Sequence, residues 1–436
     1  MIFTLEVLKA FEGDCLLLHW GDPDSPKLAI IDGGPGRTYE KHLRERLDQI
    51  VGKRNPLEIE FAMVSHVDND HIVGIDKLFG ALKKEIELNK PRPIRVKRLW
   101  HNTFDDIVGN KLDAHFRQFT ASFTASAQGT LPPQALAPIA QRLREDLGDD
   151  DEADHLAFDI SKVLAGHGEG RNLRDKHKYL RGQNAIAALN SPFTQGGQGT
   201  LITAERTPTP IELNGIKIHI VGPREQEIEA LQKAFDKYLK EKGLDTAEAA
   251  LAAYADKSVP NLSSIVCMVS LDVGGRTRNM LLTGDARGDH MIECLRKAEG
   301  PDGKPYLDGT AGEHLHVDIF KIPHHGSDRN AEPELFEKIS ADAYVLSANG
   351  KHTNPDRPVI EWIIDSRNKG DAYEIVLTYN VAELDAKREE EMGAKWDRQR
   401  DSLAVLFEER KAPEYKFRVS TDAPRPIELG DQKIAW

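Results

Sequence analysis

In "FAMVSHVDNDHIVGIDKLF", residues 61–79, an apolar run stops abruptly at His66, Asp68, Asp70 and His71 and then resumes with a different period. The first part reads as a buried strand. From Ile72 onward, Ile75, Leu78, Phe79 and Leu82 share one side of a helix. Four metal-capable side chains therefore sit at a strand-to-helix junction. Extended residues alternate faces, so 66, 68 and 70 tend to one side and 71 to the other. The bend into the helix lets His66 and Asp68 converge on one cation and Asp70 and His71 on a second. Capping of the helix by Asp70 would explain one carboxylate, but not two imidazoles and another carboxylate beside it.

Around this junction, short strands alternate with helices. "IFTLEVL", "DCLLLHW" and "KLAIIDGG" precede it, followed by the helical "TYEKHLRERLDQIV" and the strand "LEIEFAMVS"; "IRVKRLW" comes after. Residues 104–200 are polar and mostly helical, with the acidic "GDDDEAD" and the loop "TQGGQGT". Strands return at "TLITAE", "IELNGIKIHIVGP", "SSIVCMVSLDVGG" and "RNMLLTGD", interrupted by a helical excursion at 224–256. The chain closes with "HVDIFKI", "AYVLSANG", the helix "RPVIEWIIDSR", "YEIVLTY", a long charged helix near 381–411 and "YKFRVS". The pattern predicts a layered α/β fold. Its core is split into 1–103 and 201–380, with 104–200 inserted and 381–436 packed on at the end.

Bulk properties narrow the function. The chain has 436 residues, 39% of them apolar, and a formal charge of −13. That balance argues against a protein whose main task is to coat nucleic acid, which needs clustered Lys and Arg. No apolar run reaches the roughly 18 residues of a membrane span. The alternating N-terminus reads as mature structure rather than a signal peptide. Three cysteines, Cys15, Cys267 and Cys294, match no zinc ribbon. They fit a reducing, cytoplasmic compartment.

Two later stretches carry the same chemistry. "NMLLTGDA" puts Asp285 just past a strand, where a carboxylate is costly to desolvate unless paired or metal-bound. "VDIFKIPHHGS" puts His324 and His325 after another strand, between Pro and Gly. Adjacent histidines on such a turn suit one ligand and one supporting or substrate-facing group.

Taken in order, these stretches resemble the metallo-β-lactamase fold superfamily, in particular the branch that includes the soluble domain of the DNA-uptake protein ComEC. "FEGDCLLLHWG" is similar to that branch's opening GQGDS turn. "AIIDGG" resembles the first motif, with Asp32 bracing the metal loop. "SHVDNDH" resembles H-x-D-x-D-H, and "NLSSIVCMV" the branch's Asn/Ser-led strand. "LLTGD", "KIPHHGS" and "SANGKHTNPDRPVIEWI" follow in the family's order.

The resemblance implies an αββα sandwich with a mostly helical insertion and two divalent ions, Zn²⁺ or Mn²⁺, at one sheet edge. His66 and Asp68 would hold the first ion, Asp70 and His71 the second, and Asp285 would bridge them. His325 or His324 would complete the second site. The superfamily's third-motif histidine is missing; Asn261, Ser263 and Ser264 stand there.

The implied activity is metal-dependent hydrolysis, foremost of phosphodiesters in nucleic acid or nucleotides, with a bridging hydroxide as nucleophile. Asp70 would orient it, and Lys351 or His352 would neutralise a phosphate oxygen. Lys176, His177, Lys178 and Arg181, with "RVKR" at 95–98, are the candidate phosphate track. Two other readings use the same scaffold: a hydrolase of an ester, lactone or cyclic nucleotide, and an inactive module binding a protein partner through the insertion. Membrane association is not expected.

Overall fold

The structure, a computed structural model, describes residues 1–102, 141, 144, 168–194, 201–226, 228–229 and 263–434. The chain is mixed α/β and falls into two compact units. The first comprises Met1–Ile31, Thr203–Gly222 and Ile265–Trp436; the second comprises Asp32–Ile202 and Pro223–Ser264. Strands β1 (Ile2–Val7), β2 (Leu16–Gly21) and β3 (Lys27–Ile31) open the first unit. The second holds α1 (Arg44–Val51), β4 (Leu57–Ile59), β5 (Phe61–Val64), α2 (Asn69–Glu87), β6 (Ile94–Val96) and β7 (Leu99–His101). The first unit resumes with β8 (Ile211–Leu213), β9 (Ile216–Gly222), β10 (Val266–Val273), β11 (Arg276–Leu282), β12 (Leu315–Lys321) and β13 (Ile339–Leu346). It ends with β14 (Glu374–Leu377), β15 (Arg418–Ser420) and β16 (Arg425–Glu428).

In the first unit, β16, β1, β2 and β3 lie side by side as antiparallel neighbours. An eight-stranded sheet of the same unit runs β15-β14-β13-β12-β11-β10-β9-β8. Its strands β11 to β15 are all parallel, so their C-terminal ends share one edge. Helices Gly288–Lys297, Pro333–Lys338, Arg357–Asp365, Val381–Met392 and Leu403–Glu409 contribute Leu295, Phe336, Ile360, Leu384 and Leu406 to one core with Leu281, Phe320, Tyr344 and Ile375 of the strands. No described helix is long and apolar enough to cross a membrane.

Several elements differ from the sequence expectation, each for a physical reason. "LEIEFAMVS" is two strands, not one: β4 pairs with β6 and β5 with β7. The break falls at Glu60, a buried carboxylate inside an apolar run. It accepts from Lys97 Nζ at 2.8 Å and lies 3.4 Å from Arg98 Nη1. Those two cations likewise split "IRVKRLW", so two interrupted strands neutralise each other at their breaks. In "TLITAE" the described residues 201–205 form no strand. Ile202 is instead held by the Asn102 side chain, which donates to its carbonyl (2.9 Å) and accepts from its N–H (2.7 Å). The long charged helix stops at Met392. Asp397 and Ser402 then cap two further short helices by accepting from Arg400 N and Val405 N. Strand β16 (Arg425–Glu428) has no counterpart in the sequence pattern. Of the expected insertion, residues 168–182 are helical; "GDDDEAD", most of "TQGGQGT" and nearly all of 224–256 lie outside the described residues.

A glycine contact seats the metal-capable junction. Gly33 N donates to His71 O at 2.7 Å and Gly74 N to Gly34 O at 3.1 Å. A Cβ on Gly74 would sit 1.9 Å from Gly33 O. We expect Gly74→Ala to cost about 1–3 kcal/mol or more, as overpacking against backbone does, read as a lowered urea midpoint. Gly80→Ala on the same helix meets nothing closer than 3.7 Å and should not destabilise.

Candidate metal centre

In the second unit the junction is organised around Asp32, a buried carboxylate on a left-handed backbone (φ 58°). Its Oδ1 accepts from Ser65 N at 2.7 Å. Its Oδ2 accepts from Ser65 Oγ at 2.7 Å and from His71 Nδ1 at 2.9 Å. The Ser65 hydroxyl, having given its proton to Asp32, accepts from His66 Nδ1 at 3.1 Å. Both rings are fully buried, 4.1 Å apart between centroids. With Nδ1 occupied in each, Nε2 is the nitrogen turned to the carboxylates: His66 Nε2 lies 3.7 Å from Asp68 and His71 Nε2 4.0 Å from Asp70. His66, Asp70 and His71 each offer a ligand atom within 4.8 Å of the others.

The helix that follows is capped by position 68, not 70. Asp68 O accepts from His71 N and Ile72 N, and the Asp68 side chain makes no capping bond. Its Oδ1 is buried with no hydrogen-bond partner among the described residues. A buried carboxylate oxygen in that state is expensive. A divalent cation would satisfy it, and the donor set of imidazole and carboxylate suits one.

In the first unit, Asp285 follows β11 and the two histidines follow β12, at the C-terminal edge of the parallel strands. His324 and His325 both have left-handed backbones (φ 49° and 57°). Such positions cost about 1–3 kcal/mol each and persist where surroundings impose them. Here Gly326 enforces the turn: at φ 83°, a Cβ would lie 2.8 Å from Leu346 Cδ2 and 2.9 Å from Pro355 Cβ. His325 is buried; its Nδ1 donates to Ser347 O at 3.0 Å and its Nε2 lies 3.3 Å from Asp285 Oδ2. His324 is more exposed. Its Nδ1 donates to Asn330 Oδ1 at 2.6 Å, and its Nε2 is 3.8 Å from Asp285. Asn330 in turn donates to Asp285 O. Four rings in two units therefore share one arrangement: Nδ1 fixed by a neighbour, Nε2 presented to carboxylate. Metal-ligating histidines are held this way.

The sequence reading left Asp14 without a role. It is buried; Oδ1 lies 3.6 Å from His325 Nδ1, and Oδ2 is 2.8 Å from the equally buried Lys321 ammonium. Asp14, Asp285 and His325 can each bring a ligand atom within 4.8 Å of the other two. A signal was present: Asp14 opens the apolar run "CLLLHW", where an acid has no packing value.

Other candidates are engaged elsewhere. Lys351 Nζ pairs with Glu12 at 2.7 Å. His352 has a left-handed backbone, and its N–H donates to Glu391. Ser263 and Ser264 are buried; Asn261 lies outside the described residues. In the supposed phosphate track, Lys176 is paired with Asp76 (2.5 Å) and Lys178 with Asp175 (3.7 Å). Buried His177 contacts Ala187 O, and Arg181 donates to Ile186 O. Lys97 and Arg98 are committed to Glu60.

No protein-family model matches the chain, and no curated protein matches it.

One proton in the first unit is set by this geometry. Burial alone would lower the His325 pKa, but the charges of Asp285 and Asp14 outweigh it and raise it to about 9. In chelated protein the ring therefore stays charged at neutral pH. Its contribution to stability is complete below about pH 6.5 and is lost as pH rises through about 9. A divalent ion that took His325 as a ligand would displace that proton. We expect release of about one proton from His325 on loading near pH 7, measured with an indicator in weak buffer, and none from it at pH 10.

Proposed function

We propose that the chain is a metal-dependent hydrolase of the metallo-β-lactamase fold superfamily, akin to the ComEC-like branch, acting on phosphodiester bonds. The observation that carries this reading is the shared orientation of His66, His71, His324 and His325, each with Nδ1 held and Nε2 facing an aspartate. A purely structural histidine has no need of that pattern four times over. The motif order of the sequence adds the reaction class.

In this reading His66, Asp68, Asp70 and His71 hold one part of the metal complement. Asp285 and His325 hold the other, with Asp14 beside them. Bound divalent ions would supply a water of lowered pKa and positive charge against the developing negative oxygens. Asp32 keeps His71 in the tautomer that presents Nε2, and Ser65 does so for His66. Ser347 O and Asn330 perform the same task for His325 and His324. Asp70, buried beside His71, would accept a proton from the attacking water. Lys351 Nζ gives one of its three donors to Glu12 and would meet a phosphate oxygen with another.

We expect purified protein to bind two equivalents of Zn²⁺ or Mn²⁺ by elemental analysis, and to hydrolyse DNA, RNA or a chromogenic phosphodiester. His66→Ala and Asp285→Ala should each lower metal content and abolish turnover. Asp32→Asn, which leaves every proposed ligand in place, should cost about 10–100-fold in metal affinity or activity. Cleavage of an ester or lactone but no phosphodiester would move the activity to the neighbouring reading. Turnover surviving His66→Ala would sink the assignment.

A further inference from the structure

A second feature of the first unit lies away from these ligands. Asp285, His324 and His325 follow the C-terminal ends of β11 and β12. A cleft of about 780 Å³ opens instead beside the earlier parts of the same parallel strands, lined by residues such as Arg278 of β11, Asp318 of β12 and Glu374 of β14. Its volume is that of a small-ligand site. Five of its lining residues are cations, Arg278, Lys416, Arg418, Arg425 and Lys433, against four carboxylates, Asp318, Asp342, Glu374 and Glu428. On a chain of net charge −13, that concentration calls for a reason.

The arginines are held in pairs, two to each carboxylate. Buried Asp318 lies 2.6 Å from Arg278 Nη1 and 3.3 Å from Arg276 Nη2. Buried Glu374 lies 2.5 Å from Arg418 Nη2 and 2.8 Å from Arg425 Nη2. Burial alone would raise the Glu374 carboxyl, but Arg418, Ser420 and Arg425 hold it below its ordinary value, so it stays ionised. The Glu374 pair thus keeps one unbalanced positive charge; near the Asp318 pair, Asp342 also lines the cleft and faces Arg276. Each guanidinium has five donors, and these contacts use only one from each arginine. Arg278 Nε is buried and meets no acceptor among the described residues. Lys416 has no ion-pair partner among them either. Lys433, by contrast, pairs with Glu428 at 3.2 Å. Anchored guanidiniums with spare donors are pre-organised for tetrahedral oxyanions, which they bind through parallel N–H···O bonds.

We propose that this cleft binds a compact ligand carrying two or more phosphate groups, of nucleotide size, at a site separate from the carboxylate–imidazole residues. The inference does not depend on the hydrolase reading, because no proposed metal ligand lines the cleft.

The test is calorimetric titration of the full chain, in chelator, with a nucleoside triphosphate and separately with inorganic tripolyphosphate. We expect saturable binding that weakens with added salt. Equal affinity for both would mean that phosphate alone is recognised; preference for the nucleotide would mean that the base is recognised too. Lys416→Gln with Arg418→Gln should weaken binding roughly tenfold or more, the worth of lost charge-assisted hydrogen bonds. Should the double variant fail to fold, Lys416→Gln alone removes an exposed, unpaired cation and should still weaken binding measurably. Asp285→Ala should bind as wild type. No saturation at about millimolar ligand, unchanged affinity in the variants, or loss of binding in Asp285→Ala would each overturn the proposal.

Discussion

The Asp32 carboxylate accepts three hydrogen bonds at 2.7–2.9 Å, two from Ser65 and one from His71. It lies at the start of the second unit, yet it fixes the junction some thirty residues later in the chain. Without it, two imidazoles would be buried in a strand-to-helix turn with nothing to choose their tautomers. With it, the choice is made once at Ser65 and His71 and passed through the Ser65 hydroxyl to His66. Gly33 and Gly74 add the steric half of the constraint, since only glycine lets the Asp32 loop and the first turn of α2 approach through backbone hydrogen bonds.

The first unit reaches a similar arrangement by different means. Parallel strands deliver their C-terminal loops to one sheet edge, and what the loops carry is decided by turn chemistry. Pro323 and Gly326 bracket two histidines in left-handed conformations, which are uncommon for residues other than glycine. Ser347, in the loop after β13, receives His325 Nδ1 through its carbonyl; its hydroxyl donates to Gly13 O at 2.7 Å. The turn that carries Asp14 is thereby tied to the loop after the neighbouring parallel strand. Placement by strand direction and orientation by hydrogen bonding are separate contributions, and both are visible here.

Much of this was legible in the sequence, because the signals were local. The abrupt polar interruption at 66–71, Asp285 after an apolar strand, and the Pro–His–His–Gly turn all name their elements and their metal-capable side chains within a few residues. What was not legible depends on partners distant in sequence. The role of Asp14 needs Lys321 and His325, about three hundred residues away. Strand β16 needs β1, which it meets with Leu5 opposite Ile427, a pairing that no local period announces. The split of "LEIEFAMVS" at Glu60 could have been suspected from a lone acid in an apolar run, but its cause lies in Lys97 and Arg98. The basic stretches show the same limit: a run of lysines and arginines is visible in the sequence, and the partners of Lys97, Arg98, Lys176 and Lys178 are not.

Charge balance links Asp14, Asp285 and His325 in the first unit. Asp14 and Asp285 flank His325, and Lys321 compensates only Asp14. A protonated His325 supplies the remaining positive charge, and this is why its pKa lies near 9 despite complete burial. A divalent cation placed against Asp285 would supply that charge more fully, at closer range, and would need the ring neutral. Proton and metal therefore compete for one electrostatic role, and the carboxylates that make the metal-free unit tolerable are those that would make it bind. The second unit has no lysine or arginine within ion-pair distance of Asp68 among its described residues. There Asp68 faces the His66 imidazole at 3.7 Å, so a cation would meet a carboxylate that no basic side chain of the described residues balances. A donor set of this kind, built of carboxylate and imidazole without thiolate, favours harder divalent ions over those that seek sulfur.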